Sequence, residues 1–280
     1  MLRSISILLF AIFITSGIFS QAKPEIKIES YDWVLINKFL DSIRTTNIDS
    51  LRLDLASTIE KKLQSILIKK GTFTMSFDSL KNVGRIYSPD KNFKVFNWNV
   101  PLSDGTHRFY TIIQFNPGKD SICKIITLKD QSQYFKGNIN TAIFNVNNWF
   151  GALYYEIIPE KINGKTTIYT LLGMHFNGLF TNKKIIESMY FDENGQPIFG
   201  TPVFLFNKQL QNRMVFEYSI NATMSLRYDN RLKMIIFDHL APPSSLYYGD
   251  YKFYGPDFSF DGLKFENGKW NYQENVNAHK

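Results

Sequence analysis

Four histidines offer the widest range of chemistry in this chain: His107, His175, His239 and His279. A transition-metal site uses ligands at short spacings, such as two histidines four apart on one helix face. None of the four has a histidine partner at such a spacing. None lies three or four residues from a carboxylate on an expected helix, so no metal site is expected. Cys123 is the only cysteine. It excludes an internal disulfide and a thiolate metal site, and its setting in Ser121–Leu128, SICKIITL, reads as a small buried hydrophobe.

His239 follows Asp238 in the only adjacent Asp-His pair of the chain. An acid that orients an imidazole must lie on the same side of the backbone. Neighbours on a strand point to opposite faces. Asp238 and His239 are therefore catalytic candidates only if the chain turns at Leu240-Ala241-Pro242-Pro243. Glycoside hydrolysis would need two carboxylates about 5–10 Å apart. Glu156, Glu187, Glu217, Asp238, Asp257 and Asp261 are available for it, and spacing alone does not say which of them meet.

Other reaction classes lack their motifs. There is no G-x-S-x-G, no S-x-x-K with its companion signatures, and no phosphate-binding glycine loop,. No cofactor is expected. Asp192-Glu193-Asn194-Gly195 resembles the start of a calcium loop but lacks the distal glutamate, so it reads as a hairpin turn. The remaining candidate is a binding surface. Tyr247-Tyr248-Gly249-Asp250-Tyr251-Lys252-Phe253-Tyr254-Gly255-Pro256-Asp257 is rich in Tyr, Gly and Pro. A tyrosine offers an apolar ring and a polar tip at low entropic cost. Tyr247, Tyr248, Tyr251 and Tyr254 are therefore the binding candidates, for a glycan, a peptide or an envelope protein.

These residues need elements to hold them. Tyr31–Arg44 carries Trp33, Ile36, Leu40 and Ile43 at helical spacing. A second helix follows, capped by Asp49 or Ser50, with Leu51, Leu55, Ile59, Leu63 and Ile66 on one face and Gly71 beyond its end. From Phe73 onward short β-prone runs alternate with turns such as Asn163-Gly164-Lys165 and Asp229-Asn230-Arg231. Phe93–Val100 is apolar on both faces, so it is expected to be covered on both. The expected fold is mainly β: an antiparallel meander forming a two-layer sandwich, a barrel-like or a propeller-like assembly, behind an N-terminal helical hairpin. Ala222–His239 is expected to be a hairpin looped at Asp229-Asn230-Arg231. In that register Tyr228, Leu226 and Met224 face Leu232, Met234 and Ile236, and His239 joins Arg227 and Lys233.

Residues 1–20 pair a short basic start with the apolar run Ser4–Phe19 and small residues before Gln21, the pattern of a signal peptide,. The expected divisions are 1–20 as signal peptide, 21–72 as the helical hairpin packed on the β domain, and 73–280 as that domain. No later run reaches the ~18 apolar residues of a membrane span. The net charge is +7 and is spread out. Export and the absence of a basic stripe argue against nucleic acid. The 25 Phe, 15 Tyr and 4 Trp favour strands and large cores,.

A further pattern runs through Ser88-Pro89-Asp90, Asn97-Trp98, Leu171-Leu172-Gly173, Gly195-Gln196-Pro197-Ile198-Phe199-Gly200, Phe237-Asp238-His239-Leu240 and Gly255-Pro256-Asp257. With the Phe19-Ser20-Gln21 signal end, it resembles a group of exported Bacteroidota proteins with no assigned function. The resemblance implies a bacterial origin and a periplasmic or surface location. It implies no catalytic residue and no ligand. The expected role is non-catalytic binding or an accessory part in the envelope. The alternative is a secreted or periplasmic hydrolase whose carboxylates or His239 meet in the fold.

Overall fold

The computed structural model describes residues 30–118, 122–162, 164 and 166–277. The expected signal peptide at 1–20 and His279 lie outside them. Two helices come first, α1 (Ser30–Thr45) and α2 (Asp49–Leu67). The strands follow as β1 (Gly84–Tyr87), β2 (Phe93–Pro101), β3 (His107–Phe115), β4 (Ile125–Lys129), β5 (Leu153–Ile162), β6 (Thr166–Phe176), β7 (Thr181–Phe191) and β8 (Pro197–Phe199). Then come β9 (Phe204–Phe206), β10 (Gln209–Gln211), β11 (Arg213–Ser219), β12 (Leu226–Asp229), β13 (Met234–Ala241), β14 (Gly255–Glu266) and β15 (Lys269–Gln273).

The strands form three sheets and the fold is mainly β, as the alternation of apolar runs and turns predicts. The first sheet runs β1-β2-β3-β4. The central sheet runs β11-β7-β6-β5, with β8 also on β7. The outer sheet runs β10-β9-β15-β14-β13-β12. The named strands pair antiparallel except β15 with β9. The sheets stack as in a sandwich and do not close into a barrel.

Burial explains the stacking. One face of the first sheet (Phe96, Trp98, Val100, Ile112) packs under the helical stripe of Trp33, Ile36, Leu40 and Ile43. Its other face (Phe93, Val95, Phe109, Ile113) meets Tyr154, Tyr169, Leu171 and Ile185 of the central sheet. The central sheet turns Ile158, Ile168, Leu172 and Ile186 the opposite way, onto Leu226, Ile235, Phe237 and Trp270 of the outer sheet. Strands buried on both faces carry apolar residues at both parities, and this is why β2 and β6 read as near-continuous hydrophobic runs.

Two local expectations are corrected. Asp49 makes no cap within α2, where Ile48 holds the cap position without a side-chain bond. Its carboxylate instead accepts from Ser103 N at 3.1 Å and Ser103 Oγ at 2.5 Å, which fastens the β2–β3 turn to the helix. The hairpin of β12 and β13 pairs Tyr228 with Ile235 and Leu226 with Phe237, three residues away from the expected register. The cause is a longer loop, 230–233. Asp229 Oδ1 accepts from both Arg231 N and Leu232 N at 2.9 Å, and Lys233 takes φ +54°. An odd shift exchanges the faces of a strand. Ile235 and Phe237 therefore enter the core between the sheets, and Met234 and Ile236 are buried on the far face.

One ion pair lies inside the stack. Arg213 and Glu187 have side chains 0% and 1% exposed. Arg213 Nε donates to Glu187 Oε1 at 2.7 Å, and Nη2 donates to the same oxygen. Tyr154 Oη donates to Glu187 Oε2 and accepts from Trp149 Nε1 at 3.0 Å. Arg213 Nη1 donates to the carbonyls of Ile139 and Ala142. Strands β5, β7 and β11 and the long connection between β4 and β5 thus share one network. Removing one partner of a buried pair leaves an uncompensated charge and costs about 3–5 kcal/mol. Arg213→Met should lower the unfolding free energy by about that amount in urea titration. Arg213→Met with Glu187→Leu should recover most of the loss. A single variant as stable as the parent would remove the pair from this role.

Candidate functional site

The ends of β3 and β6 meet where the first and central sheets adjoin. Thr106 and Asn177 form an isolated antiparallel bridge there. The connection between β4 and β5 passes over this junction, and a cleft of about 310 Å³ opens beneath it. The lining includes His107 from β3, His175 and Phe176 from β6 and Lys183 from β7, and also Arg108, which starts from the helix-covered face opposite Val100 and returns to His107 O at the strand edge. The connection contributes Phe135 and Phe150.

Asp130 stands behind the lining and orders its backbone. Its carboxylate accepts from Phe109 N at 2.9 Å, Ser132 N at 2.9 Å and Gly151 N at 3.3 Å. Gly151 is required by this close approach. A Cβ there would stand 2.6 Å from the Phe109 ring and 2.7 Å from Asp130 Cγ. Gly151 O in turn accepts from His175 Nδ1 at 2.6 Å. The imidazole proton therefore sits on Nδ1, and Nε2 is an acceptor. Asn99 Nδ2 donates to His107 Nδ1 at 2.5 Å, which places the His107 proton on Nε2 as a donor.

Both rings are held neutral. Burial lowers the pKa of His107 to about 4 and that of His175 to about 4, because desolvation disfavours the charged form. Aromatic neighbours supply the apolar surroundings. His175 stacks on Phe109 and on Phe150 at 4.8 Å each, and His107 stacks on Phe176 at 4.6 Å. The cations of the cleft differ from each other. Lys183 Nζ donates to Asn177 Oδ1 at 2.8 Å and lies 3.4 Å from Glu217. Arg108 Nη1 donates to Thr106 Oγ1 and His107 O, and no carboxylate of the described residues is in ion-pair reach of it.

The expected catalytic pair is placed elsewhere and apart. Asp238 Oδ2 accepts from Ser225 N at 2.7 Å, at the edge of the outer sheet. His239 lies at a β-bulge, where pairing steps from Asp238–Phe260 to Leu240–Pro256. Its Nδ1 bonds Asp261 Oδ2 at 2.7 Å. The same oxygen accepts from Tyr272 Oη at 2.6 Å, and Asp261 Oδ1 accepts from Asn275 N. His239 does not join Arg227 and Lys233, because the register shift exchanges the faces. Its pKa is raised, chiefly by the Asp261 hydrogen bond and against partial desolvation. This is an oriented, half-exposed imidazole on a buried acid.

The tyrosine run folds as the loop between β13 and β14 and is tied to the end of β11, where Ser219 N donates to Tyr254 O at 2.9 Å. Tyr254 is buried, and its hydroxyl accepts from Gly249 N. Tyr251 packs on Tyr254 at 5.0 Å and Tyr247 on Phe253 at 4.1 Å. Tyr248 projects with 85% of its surface exposed, and nearby in sequence Phe258 does so with 93%. Phe258 also takes φ +73°, unusual for a bulky side chain.

Of the six carboxylates, Asp257 and Asp261 both act on His239, and the others are committed apart from one another. Glu187 is bound to Arg213, and Glu217 accepts from Asn177 and Thr181. Asp257 accepts from Ser259. Glu156 shares a cavity of about 280 Å³ with Glu160 and accepts from Tyr228 N. Burial raises the pKa of both acids. They stand four residues apart on β5, roughly 13 Å between backbone positions along a strand. Among the described residues no group of three or more His, Cys, Asp or Glu is arranged to hold a metal ion.

The cleft residues were not singled out by spacing, since His107 and His175 are 68 positions apart and meet only through tertiary packing. The available signal was their setting: each is a strand-end histidine next to a turn, with a phenylalanine one or two residues on, Phe176 or Phe109. Compared with protein-family models, curated proteins and solved structures, the chain matches none.

The histidines should shift stability in opposite directions with pH. His175 has a folded pKa of about 4 against 6.5 in the open chain. Its contribution is present above pH 6.5 and is lost as pH falls toward 4. His175→Phe should flatten that acid limb in denaturant titrations. His239 has a raised folded pKa, so its contribution is full below pH 6.5 and is lost as pH rises through the folded value. His239→Gln should destabilise the protein at pH 6 and become neutral at pH 9. The effect should be small, about 0.2–1 kcal/mol, because a ring this exposed is screened.

Proposed function

We propose that this chain is an exported, non-catalytic binding protein of a bacterial envelope, of the kind its signal segment and its Bacteroidota resemblance suggest. The cleft between the first and central sheets is its ligand site. One observation carries the reading. The cleft joins aromatic rings to a neutral donor, a neutral acceptor and an arginine without a carboxylate partner, and its lining holds no carboxylate. Such a surface recognises and orients. Acid–base hydrolysis would require an ionisable acid and base facing a common centre.

Ligand pockets are concave, mostly apolar, and carry a few placed polar groups. The cleft has those properties at the small end of the usual volume range, roughly 300–1,000 Å³. A glycan and peptide array should give signal with the purified protein. Gln133 is exposed at the cleft mouth, so Gln133→Trp should abolish that signal and leave the melting temperature unchanged. Equal signal from both proteins would exclude the cleft.

The His239–Asp261 pair favours a second reading, a hydrolase. An imidazole held by a buried acid is the positioning half of a general base. Turnover of chromogenic esters or glycosides that disappears in His239→Gln would establish it. Absence of turnover across both panels would leave the pair as a fastening of β13 to β14.

A further inference from the structure

The polar atoms of the cleft differ in what they have left to offer. Asp130 is spent on three backbone N–H groups. Glu217 is spent on Lys183, Asn177 and Thr181. Asp104, outside the rim, accepts from Thr106 N at 2.8 Å and Thr106 Oγ1 at 2.6 Å. Arg108 therefore has no carboxylate at ion-pair distance among the described residues, though Asp104 acts on its charge from farther away, and no bond to its Nε or Nη2 is made by those residues. A planar guanidinium of this kind pairs with a carboxylate through two parallel hydrogen bonds.

The same lining includes His107, whose Nε2 is a donor, and His175, whose Nε2 is an acceptor. The connection above offers the ring of Phe135, while Phe150 is already stacked on His175. A pyranose matches this set. Its apolar C–H face covers aromatic carbon, and each hydroxyl both donates and accepts. An extended peptide is held differently, by pairing with an open strand edge. Here β3 leaves only His107–Phe109 beyond its pairing with β4, and β6 leaves only His175–Phe176 beyond its pairing with β5. Of these short edges, Phe109 N and His107 O are already bonded to the Asp130 and Arg108 side chains.

We propose that the cleft is a subsite for a carboxylate-bearing sugar ring, anchored through its carboxylate by Arg108. This ligand class rests on the reading of the cleft as the binding site. Two neutral imidazoles allow hydrogen bonding to hydroxyls without adding charge, so the ion pair sets the preference for an acidic ring over a neutral one.

Isothermal titration with galacturonate, glucuronate and sialate trisaccharides, each beside its methyl ester, tests the assignment on the purified protein. At least one acid should bind ten-fold or more tighter than its ester. Arg108→Gln should weaken the acid ten-fold or more and leave the ester unchanged, and Arg108→Lys should recover part of the loss. Equal binding of acid and ester, or no change in Arg108→Gln, overturns the ligand class. Array signal that Gln133→Trp abolishes would still uphold the cleft in that case. An array without signal removes both the reading and the ligand class. If Arg108→Gln does not fold, the acid–ester comparison on the unaltered protein decides alone.

Discussion

Glu187 sits in the middle of the central sheet with sheets on either side, and a carboxylate there is tolerated only because Arg213 and Tyr154 meet it. Desolvating an unpaired carboxylate costs several kcal/mol. The pairing therefore constrains β11 to lie beside β7 in one register, Arg213 opposite Glu187. The remaining donor of Arg213 reaches carbonyls at Ile139 and Ala142. This positions the β4–β5 connection, which would otherwise be a long irregular crossing. Trp149 is tied to the same network through Tyr154. Two residues further on, Gly151 receives both Asp130 and His175. The shape of the cleft thus depends on an ion pair that does not line it.

The same economy of contacts appears at the helical end. Asp49 is drawn out of its expected capping role by Ser103, and Arg52 reaches Pro101 O at 3.2 Å. The helices are thereby fixed to the β2–β3 turn, which adjoins the start of β3 and so the first cleft residues. The helix pair is a cover on one sheet face and also a brace for the turn that presents His107.

Much of the architecture was legible because burial leaves a periodic trace. The stripe Trp33, Ile36, Leu40, Ile43 is buried as a helix face, and the two apolar faces of β2 divide between two cores. Lys94 shows where that trace misleads. A lysine in a strand reads as solvent-facing, yet Lys94 is 1% exposed. Its ammonium lies 4.3 Å from the Tyr87 ring centre and 5.0 Å from that of Phe73, with burial lowering its pKa to about 8. The hairpin at 229–234 misled differently. A four-residue loop, 230–233, in place of a three-residue one is invisible to composition, but its placement decides which face of β13 is core. The short strands β8, β9 and β10 have three residues each, too few to show a period. The cleft was illegible for a further reason. Its chemistry depends on which ring nitrogen each histidine has free, and that follows from partners far away in sequence, Asn99 and Gly151.

The parallel pairing of β15 with β9 bears on how the chain reaches this state. Trp270 N donates to Val203 O at 2.7 Å, and Trp270 Nε1 donates to Thr170 Oγ1 at 2.9 Å. Both partners lie far upstream, and contacts of large sequence separation form slowly because loop-closure entropy precedes their reward. As the polypeptide is synthesised, the β9–β10 ribbon waits with an open edge until Lys269–Gln273 arrives. The outer face of the central sheet stays incompletely covered over the same interval, until Trp270 joins Leu226, Ile235 and Phe237. Trp270 therefore acts as the latch of assembly, and the chain is most exposed to aggregation just before its last strand docks.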